Sequence, residues 1–465
     1  MDVLHLYKDY APVRGGIENH IRALAEAEAA AGLDVAVCVC APADGSVPAG
    51  VTRENGVAVH RLPRVATLRS MPLSLPFWRA ARRLAAEARI VHVHSPFPLG
   101  EAAVRTLPRG IRLVVTHHSD VVRQRLLLKV YAPLYRTFLE RADVILPTSD
   151  AYARSSPWLR PHLSKCHAVS LGVDTRRFSP RWKSHAKFAE SAETSPLPPS
   201  ERGVARSAGG STPCRVSASV SSVPSVCDSR AAASVGHPWD HPCYPCETIA
   251  PEARAAASVG HPWDHPCYPC ETIAPEARAP ASVAAQRPFR LLFVGRLRYY
   301  KGLDTLLEAM RALPARIVLD IVGDGPMAAP WRALAAAPEL AGRVRFLGEI
   351  PDEDLPAAYR AADLFVLPCN CRAEAFGTVL AEALASGVPC VTCEVGSGTS
   401  WVVRDGETGR IVPPSDPAAL VAAIRELADD PERLVVMGRA ARRDAETRLS
   451  EDAMIAGVMA AYFGK

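Results

Sequence analysis

Residues 364–393 read LFVLPCNCRAEAFGTVLAEALASGVPCVTC. An apolar run, Leu364–Pro368, gives way to a polar loop, then to a helical pattern over Phe376–Ser386, then to a second apolar run, Cys390–Cys393. Val379, Leu380, Ala383 and Leu384 recur at helical spacing and mark the face turned to the core. Gly387 ends this helix and Pro389 prevents its continuation. A strand, a helix and a strand in that order are the unit of a parallel sheet covered on both faces.

The same alternation extends outward in both directions. The later part of the chain adds strands over Arg290–Val294, Arg316–Val322, Val344–Leu347 and Arg410–Val412, with helices over Leu303–Leu313 and Pro417–Ala428. The first part repeats the scheme, with strands over Val3–Tyr7, Asp34–Cys40, Ile90–His94, Leu113–His117 and Val144–Pro147. Its helices include Ile17–Ala31 and Phe77–Ala88. Two such series predict an α/β chain of two Rossmann-like domains facing across a cleft, with ligands at the carboxyl ends of the strands. The expected divisions are 1–168 for the first domain, 169–180 for a connection, 288–448 for the second domain and 449–465 for a last helix.

Between the two series, residues 181–287 break the pattern. They are rich in Ser, Pro, Ala and Arg, and they contain a direct repeat. AAASVGHPWDHPCYPCETIAPEAR occupies Ala231–Arg254 and recurs letter for letter over Ala255–Arg278. Two identical, Pro-rich copies are too few for a solenoid. The segment reads as a disordered or loosely ordered insert, placed where a long surface insertion costs little closure entropy. Each copy offers an H-x3-H-x-C-x2-C set, His237, His241, Cys243 and Cys246, then His261, His265, Cys267 and Cys270. Number and type suit a tetrahedral metal site. Both CxxC units carry an internal Pro and no apolar core surrounds them, so the expectation is no metal.

Composition narrows the function. The 465 residues are 48% hydrophobic and 22% charged, enough for two domains with real cores. Lys+Arg number 54 against 49 Asp+Glu, a net charge of +5. That mild excess suits a phosphorylated ligand or an anionic surface without calling for nucleic acid. No basic–aromatic interleaving of the kind used on single strands is present. No apolar run approaches the ~20 residues of a membrane span, and the first ten residues read as a strand rather than a secretory signal. Thirteen Cys, several in apparent buried strands (Cys38, Cys40, Cys390), fit a reducing compartment. The expected location is cytoplasmic. Residues Arg123–Arg136 mix cations with Leu and Tyr and would suit peripheral contact with the inner membrane face; the alternative is an ordinary solvated helix face.

Four segments carry candidate chemistry. Within the opening stretch, Glu374 precedes the helix and Glu382 lies inside it, off the apolar stripe. Free amides at the helix start, around Phe376, Gly377 and Thr378, can hold an anion such as a diphosphate. Phe293–Gly302 reads FVGRLRYYKG, a strand followed by a basic loop. Arg296 and Lys301 there would neutralise a diphosphate and stabilise it as a leaving group. Gly323-Asp324-Gly325-Pro326 makes a tight turn at the same sheet edge, and the base pocket is expected near it and near Leu347–Pro351. In the first domain, Gly15 and Gly16 stand at a strand-to-helix turn where backbone can approach a phosphate. Thr116-His117-His118 ends a strand, and alternation turns only one of the two imidazoles inward.

In order and spacing these segments resemble the retaining glycosyltransferases of family 4. The likeness covers roughly 1–180 and 288–465 and rests on GGIENH (15–20), THH (116–118), VSLGVDTRRFSP (169–180), VGRLRYYKG (294–302), VGDGP (322–326) and the Glu-x7-Glu of EAFGTVLAEALASGVP (374–389). The resemblance implies the GT-B fold, with Asp452–Tyr462 crossing back onto the first domain. It also implies roles. Glu374 would hold the donor sugar hydroxyls and Glu382 the nucleotide ribose. Arg296 and Lys301 would take the diphosphate, with Phe376, Gly377 and Thr378 at the helix start. Gly15 and Gly16 would abut the donor, and His118 would lie beside its sugar. The implied donor is a nucleotide-diphosphate sugar and the implied acceptor a glycan or lipid-linked hydroxyl, with no cofactor and no divalent metal. A sugar-nucleotide 2-epimerase or phosphorylase of the same architecture, or an inactive scaffold or carbohydrate-binding module, are the competing readings; no pyridoxal lysine signal accompanies them.

Overall fold

In the computed structural model the described residues are 1–13, 15–68, 71–105, 107–108, 110–120, 125–180 and 287–464. The repeats, their His/Cys sets and the insert expected over 181–287, apart from Arg287, lie outside them. The side chains of residues 125–130 lie outside them too, and with them most of the surface considered for membrane contact. Among the described residues no helix is long and apolar enough to cross a membrane.

The first series folds as β1 (Val3–Leu6), β2 (Val35–Cys40), β3 (Gly50–Glu54), β4 (Val57–Leu62), a small ribbon of β5 (Ala66–Leu68) and β6 (Met71–Leu73), then β7 (Ile90–Ser95), β8 (Arg112–His117) and β9 (Val144–Pro147). Seven of these make one sheet in the order β3-β4-β2-β1-β7-β8-β9, parallel except for the β3–β4 hairpin. The second series, β10 (Phe289–Val294), β11 (Ile317–Val322), β12 (Val344–Gly348), β13 (Leu364–Leu367), β14 (Cys390–Cys393) and β15 (Gly409–Val412), makes a six-stranded parallel sheet ordered β12-β11-β10-β13-β14-β15. Strands such as VAVCVC at β2 are buried at every position, as a sheet covered on both faces requires.

Both sheets reverse their strand order once. In the first, the chain steps outward from β1 to β2 and β4, then crosses back to lay down β7, β8 and β9; the reversal falls between β1 and β7. In the second it falls between β10 and β13. Loops leaving the two strands at such a point part to opposite faces and open a crevice at the carboxyl ends.

Expected strands match to within a residue or two at their ends. Other features depart from the sequence reading. The β3–β4 hairpin was not expected from the sequence; it closes on Asn55 and Gly56, both at positive φ (46° and 87°), the conformation of a type I′ turn. The helix expected from Phe376 begins at Thr378, because Gly377 sits in the left-handed region at φ 80° and cannot belong to it.

The connection at 169–180 is fastened to the end of the chain. Val173 and Ser450 form a parallel bridge, and the Arg442 guanidinium donates to the carbonyls of Thr175, Phe178 and Ala385. The last helix, Glu451–Phe463, lays Met454, Val458 and Tyr462 against Val3, Ile90, Val114 and Val144 of the first sheet and Leu24 of the helix Gly16–Ala30. Three such side chains removed from water stabilise the return by roughly 1.5–3 kcal/mol each at most.

Candidate active site

The loop after β10 and the loop after β13 flank the reversal in the second sheet, and backbone contacts strap them together. The amide of Asn370 donates to the Tyr300 carbonyl (3.0 Å), and its side chain donates to the Tyr299 carbonyl (3.0 Å). Gly302 follows Lys301 in the left-handed conformation, and a Cβ there would fall 2.0 Å from the Pro368 carbonyl oxygen, so only glycine lets the loops meet. The result is an ion pair between residues 73 apart in sequence. Lys301 Nζ lies 2.6 Å from Glu374 Oε2, with the two side chains 9% and 11% exposed. Burial works against the ammonium charge, but Glu374 outweighs it, and the Lys301 pKa is held above its ordinary value. Breaking one side of such a pair strands the other, at a cost of about 3–5 kcal/mol.

Glu382 projects from the helix Thr378–Ala385 toward the first domain. It accepts a hydrogen bond from the Tyr359 hydroxyl (2.7 Å). It also lines a cavity of about 130 Å³ shared with Gly16, Asn19, His20, Asp174, Arg177 and Thr378. Burial drives its carboxyl up to about 7, against the lowering effect of Tyr359 and Arg177. Gly16 marks where the two walls meet: a Cβ on it would lie 3.4 Å from the Thr378 hydroxyl. Phe376 is buried and tilted against Trp401, so its ring is core and only its backbone is placed to serve a ligand. In the first turn the Leu380 amide donates to the Gly377 carbonyl (2.8 Å), which leaves those of Thr378 and Val379 to serve a ligand.

Arg296 stands apart from the ion pair. It is exposed and lines an open cavity of about 660 Å³ with Gly323, Asp324, Gly325, Pro326 and Glu349. A second cavity of about 570 Å³ runs from Gly295 and Gly323 to Ile350, Pro351 and Glu353. These are the walls expected for the base pocket. The expected grouping therefore divides: Lys301 and Glu374 meet directly, whereas Arg296 and Glu382 line two separate cavities.

In the first domain the two adjacent histidines separate as strand alternation requires. His117 contacts the Tyr135 hydroxyl (2.6 Å) and Asp120 (3.0 Å). His118 turns to the side of the helix Gly16–Ala30, 3.2 Å from His94 and with its ring 5.3 Å from that of His20. All three imidazoles are buried, and burial is the main cause that lowers each pKa, that of His20 to about 3. They are neutral rings, and of the three His20 lines the cavity that holds Glu382. His20 lies inside the GGIENH segment, but its part in this group was not read from the sequence. His92 and His94 went unremarked too, although their spacing of two places them on one face of β7.

Two Rossmann-like sheets whose strand-end loops share one cleft, with a terminal helix crossing back, define a glycosyltransferase of the GT-B class. A family model described as Glycosyltransferase Family 4 matches residues 14–177, and one described as Glycosyl transferases group 1 matches residues 276–444. The chain is 32% identical over 442 residues to D-rhamnosyltransferase WbpZ of Pseudomonas aeruginosa, covering 94% of this chain and 90% of that one. It is 27% identical to O-antigen chain mannosyltransferase C of Escherichia coli, covering 98% and 96%. Among solved structures, Anabaena HepE in complex with UDP superposes with a TM-score of 0.65 at 14% identity over the whole of both chains. Sucrose-phosphate synthase from Thermosynechococcus elongatus superposes with the same score at 20% identity, over 99% and 98%. The chain belongs to the family 4 glycosyltransferases.

Proposed function

We propose that this glycosyltransferase retains anomeric configuration, needs no divalent metal, and moves a hexose from a nucleotide-diphosphate sugar to a glycan or lipid-linked hydroxyl. The relatives' names, a D-rhamnosyltransferase and an O-antigen chain mannosyltransferase, favour a place in cell-envelope polysaccharide synthesis. The observation that carries the reading is the buried Lys301–Glu374 pair at the crevice between β10 and β13. A diphosphate seated on the first-turn amides at Thr378 meets the Lys301 ammonium, and Arg296 adds charge from the adjoining cavity. The positive charge that a metal would otherwise supply is then built into the protein. Glu374 holds Lys301 in place and offers its remaining lone pairs to the donor sugar hydroxyls. Glu382 takes the ribose hydroxyls, Gly15 and Gly16 close over the donor, and His118 contacts the sugar from the first domain. Attack of the acceptor hydroxyl on the face the phosphate is leaving, with that phosphate taking its proton, gives retention.

Glu374→Gln removes the charge without emptying the space. We expect kcat/KM to fall on the order of 100-fold and the melting temperature to drop, because the buried Lys301 ammonium loses its counter-charge. An unchanged rate would remove Glu374 from the site. The anomeric configuration of the product, read by NMR, tests retention. Undiminished turnover in the presence of a chelator tests independence from metal. An epimerase would instead release free nucleotide from donor without any acceptor.

A further inference from the structure

Beneath His118 a row of buried side chains runs through the first domain. His118 Nε2 lies 3.2 Å from His94 Nδ1, His94 Nε2 lies 3.1 Å from His5 Nδ1, and His5 Nε2 lies 2.7 Å from Glu28 Oε2. The rings come from three adjacent strands, β1, β7 and the end of β8, while Glu28 comes from the helix Gly16–Ala30 that covers them. All four residues are buried. A second branch, His92 between Thr116 and Tyr462 (2.7 Å to each), closes the far end with the terminal helix.

The polarity of the row follows from one end. A carboxylate has only lone pairs to offer, so His5 Nε2 carries the proton that Glu28 accepts. With a single N–H on His5, its Nδ1 is left as an acceptor. His94 must then donate from Nε2 and accept at Nδ1, and His118 must donate from Nε2. The remaining atom, His118 Nδ1, is a lone pair, and it is a buried nitrogen without a hydrogen-bond partner. A buried acceptor left unmade is costly, and a sugar hydroxyl donating to it would recover that cost.

We propose that Glu28 is a positioning residue that fixes the tautomer of His118 through His5 and His94, so that Nδ1 is presented as a hydrogen-bond acceptor to a hydroxyl of the donor sugar. The part concerning the sugar rests on the proposed function; the tautomer does not. The nitrogens of His20, His94 and His118 also lie within 4.8 Å of one another, close enough to consider a metal ion. Two observations favour the relay. Both nitrogens of His5 and of His94 are already engaged along the row. No carboxylate joins the trio, so a dication there would be buried among neutral rings.

The test is nitrogen NMR of the full-length, ligand-free protein labelled with 15N-histidine, with His118→Phe used to assign the resonance. We expect His118 to carry its proton on Nε2 and a pyridine-like Nδ1. In Glu28→Leu the His118 signals should shift toward a mixture of tautomers, and Glu28→Gln, whose amide oxygen can still accept from His5, should restore the single form. Turnover of whichever of GDP-mannose or UDP-glucose the enzyme uses should fall about tenfold in Glu28→Leu, with binding of free GDP or UDP unchanged. A proton on His118 Nδ1, a tautomer indifferent to Glu28→Leu, or stoichiometric metal in the purified protein would each overturn the proposal. A wild-type protein that binds and turns over neither donor would instead overturn the assigned function and leave the tautomer result to stand by itself.

Discussion

Glu382 shows how a single buried group ties the site to solution conditions. Its carboxyl is raised to about 7, so near neutrality it is only partly ionised. A ribose diol donates hydrogen bonds and is best held by the carboxylate form. In the proposed ribose-binding role, binding draws the proton off, and donor affinity should rise with pH through the folded pKa. If only the ionised form binds, the gain between pH 6 and pH 8 is about tenfold. The sign for stability is the reverse. An acid whose folded pKa exceeds its unfolded value near 4.5 keeps its proton longer in the native state, so stability declines as pH rises from about 4.5 to about 7. Calorimetric titration with a nucleotide sugar, whose diphosphate does not ionise in this range, reads the binding half. Glu382→Gln should flatten the profile; a slope that survives in that variant belongs to another group. Lys301 shows the opposite balance, with Glu374 holding the ammonium charged despite burial.

The strand-end loops decide whether those groups meet, and here the sequence was legible in part. Strand–helix alternation marked the parallel strands, and the helical recurrence of Val379, Leu380, Ala383 and Leu384 located the helix that carries Glu382. The start of that helix was misjudged because Phe376 is apolar and continues the helical pattern, whereas its ring packs on Trp401 and Gly377 breaks the backbone behind it. The β3–β4 hairpin was missed although Asn55-Gly56 favours a type I′ turn. β3 is largely exposed and carries Thr52, Arg53 and Glu54, so no apolar run announced it. The inward Arg61 of β4, paired with Glu54, interrupts the alternation that would have revealed its partner. The meeting of Lys301 with Glu374 depends on a glycine whose need no local pattern displays. Gly302→Ala places a methyl group on the Pro368 carbonyl and a side chain at φ 66°. We expect a loss of roughly 2–4 kcal/mol in urea unfolding, combining the left-handed penalty with the clash, and a matching loss of turnover. Wild-type stability in this variant would mean that the two loops are not locked together.

Over the whole molecule, the proposed mechanism needs the first-domain wall, with His118, held against the second-domain wall, with Lys301. The residues that hold it carried no readable signal, since they belong to different series and join only in the folded chain. Arg372, in the loop after β13, reaches across to Asp120, two residues beyond His118, with an N···O distance of 3.0 Å. The same guanidinium donates to the Ser155 carbonyl (2.9 Å) and stands 5.3 Å over the Tyr152 ring, while the Ser155 hydroxyl donates to the Gly396 carbonyl (2.8 Å). Asp120 is fixed in turn by His117 and by the Ser156 hydroxyl. A largely buried pair with that much support acts as a latch rather than as a solvated surface contact. The cavities beside Arg296 are lined by second-domain residues only, so unlatching should largely spare affinity for the free nucleotide and lower the chemical step. We expect Arg372→Ala to bind GDP or UDP as the wild type does, with kcat/KM for the nucleotide sugar reduced about tenfold. Asp120→Asn should cost a similar factor, and the double variant little more than either single one, because once the contact is broken the second change has nothing left to remove. Full additivity of the two losses would show that the two side chains act independently and that the walls are held together elsewhere.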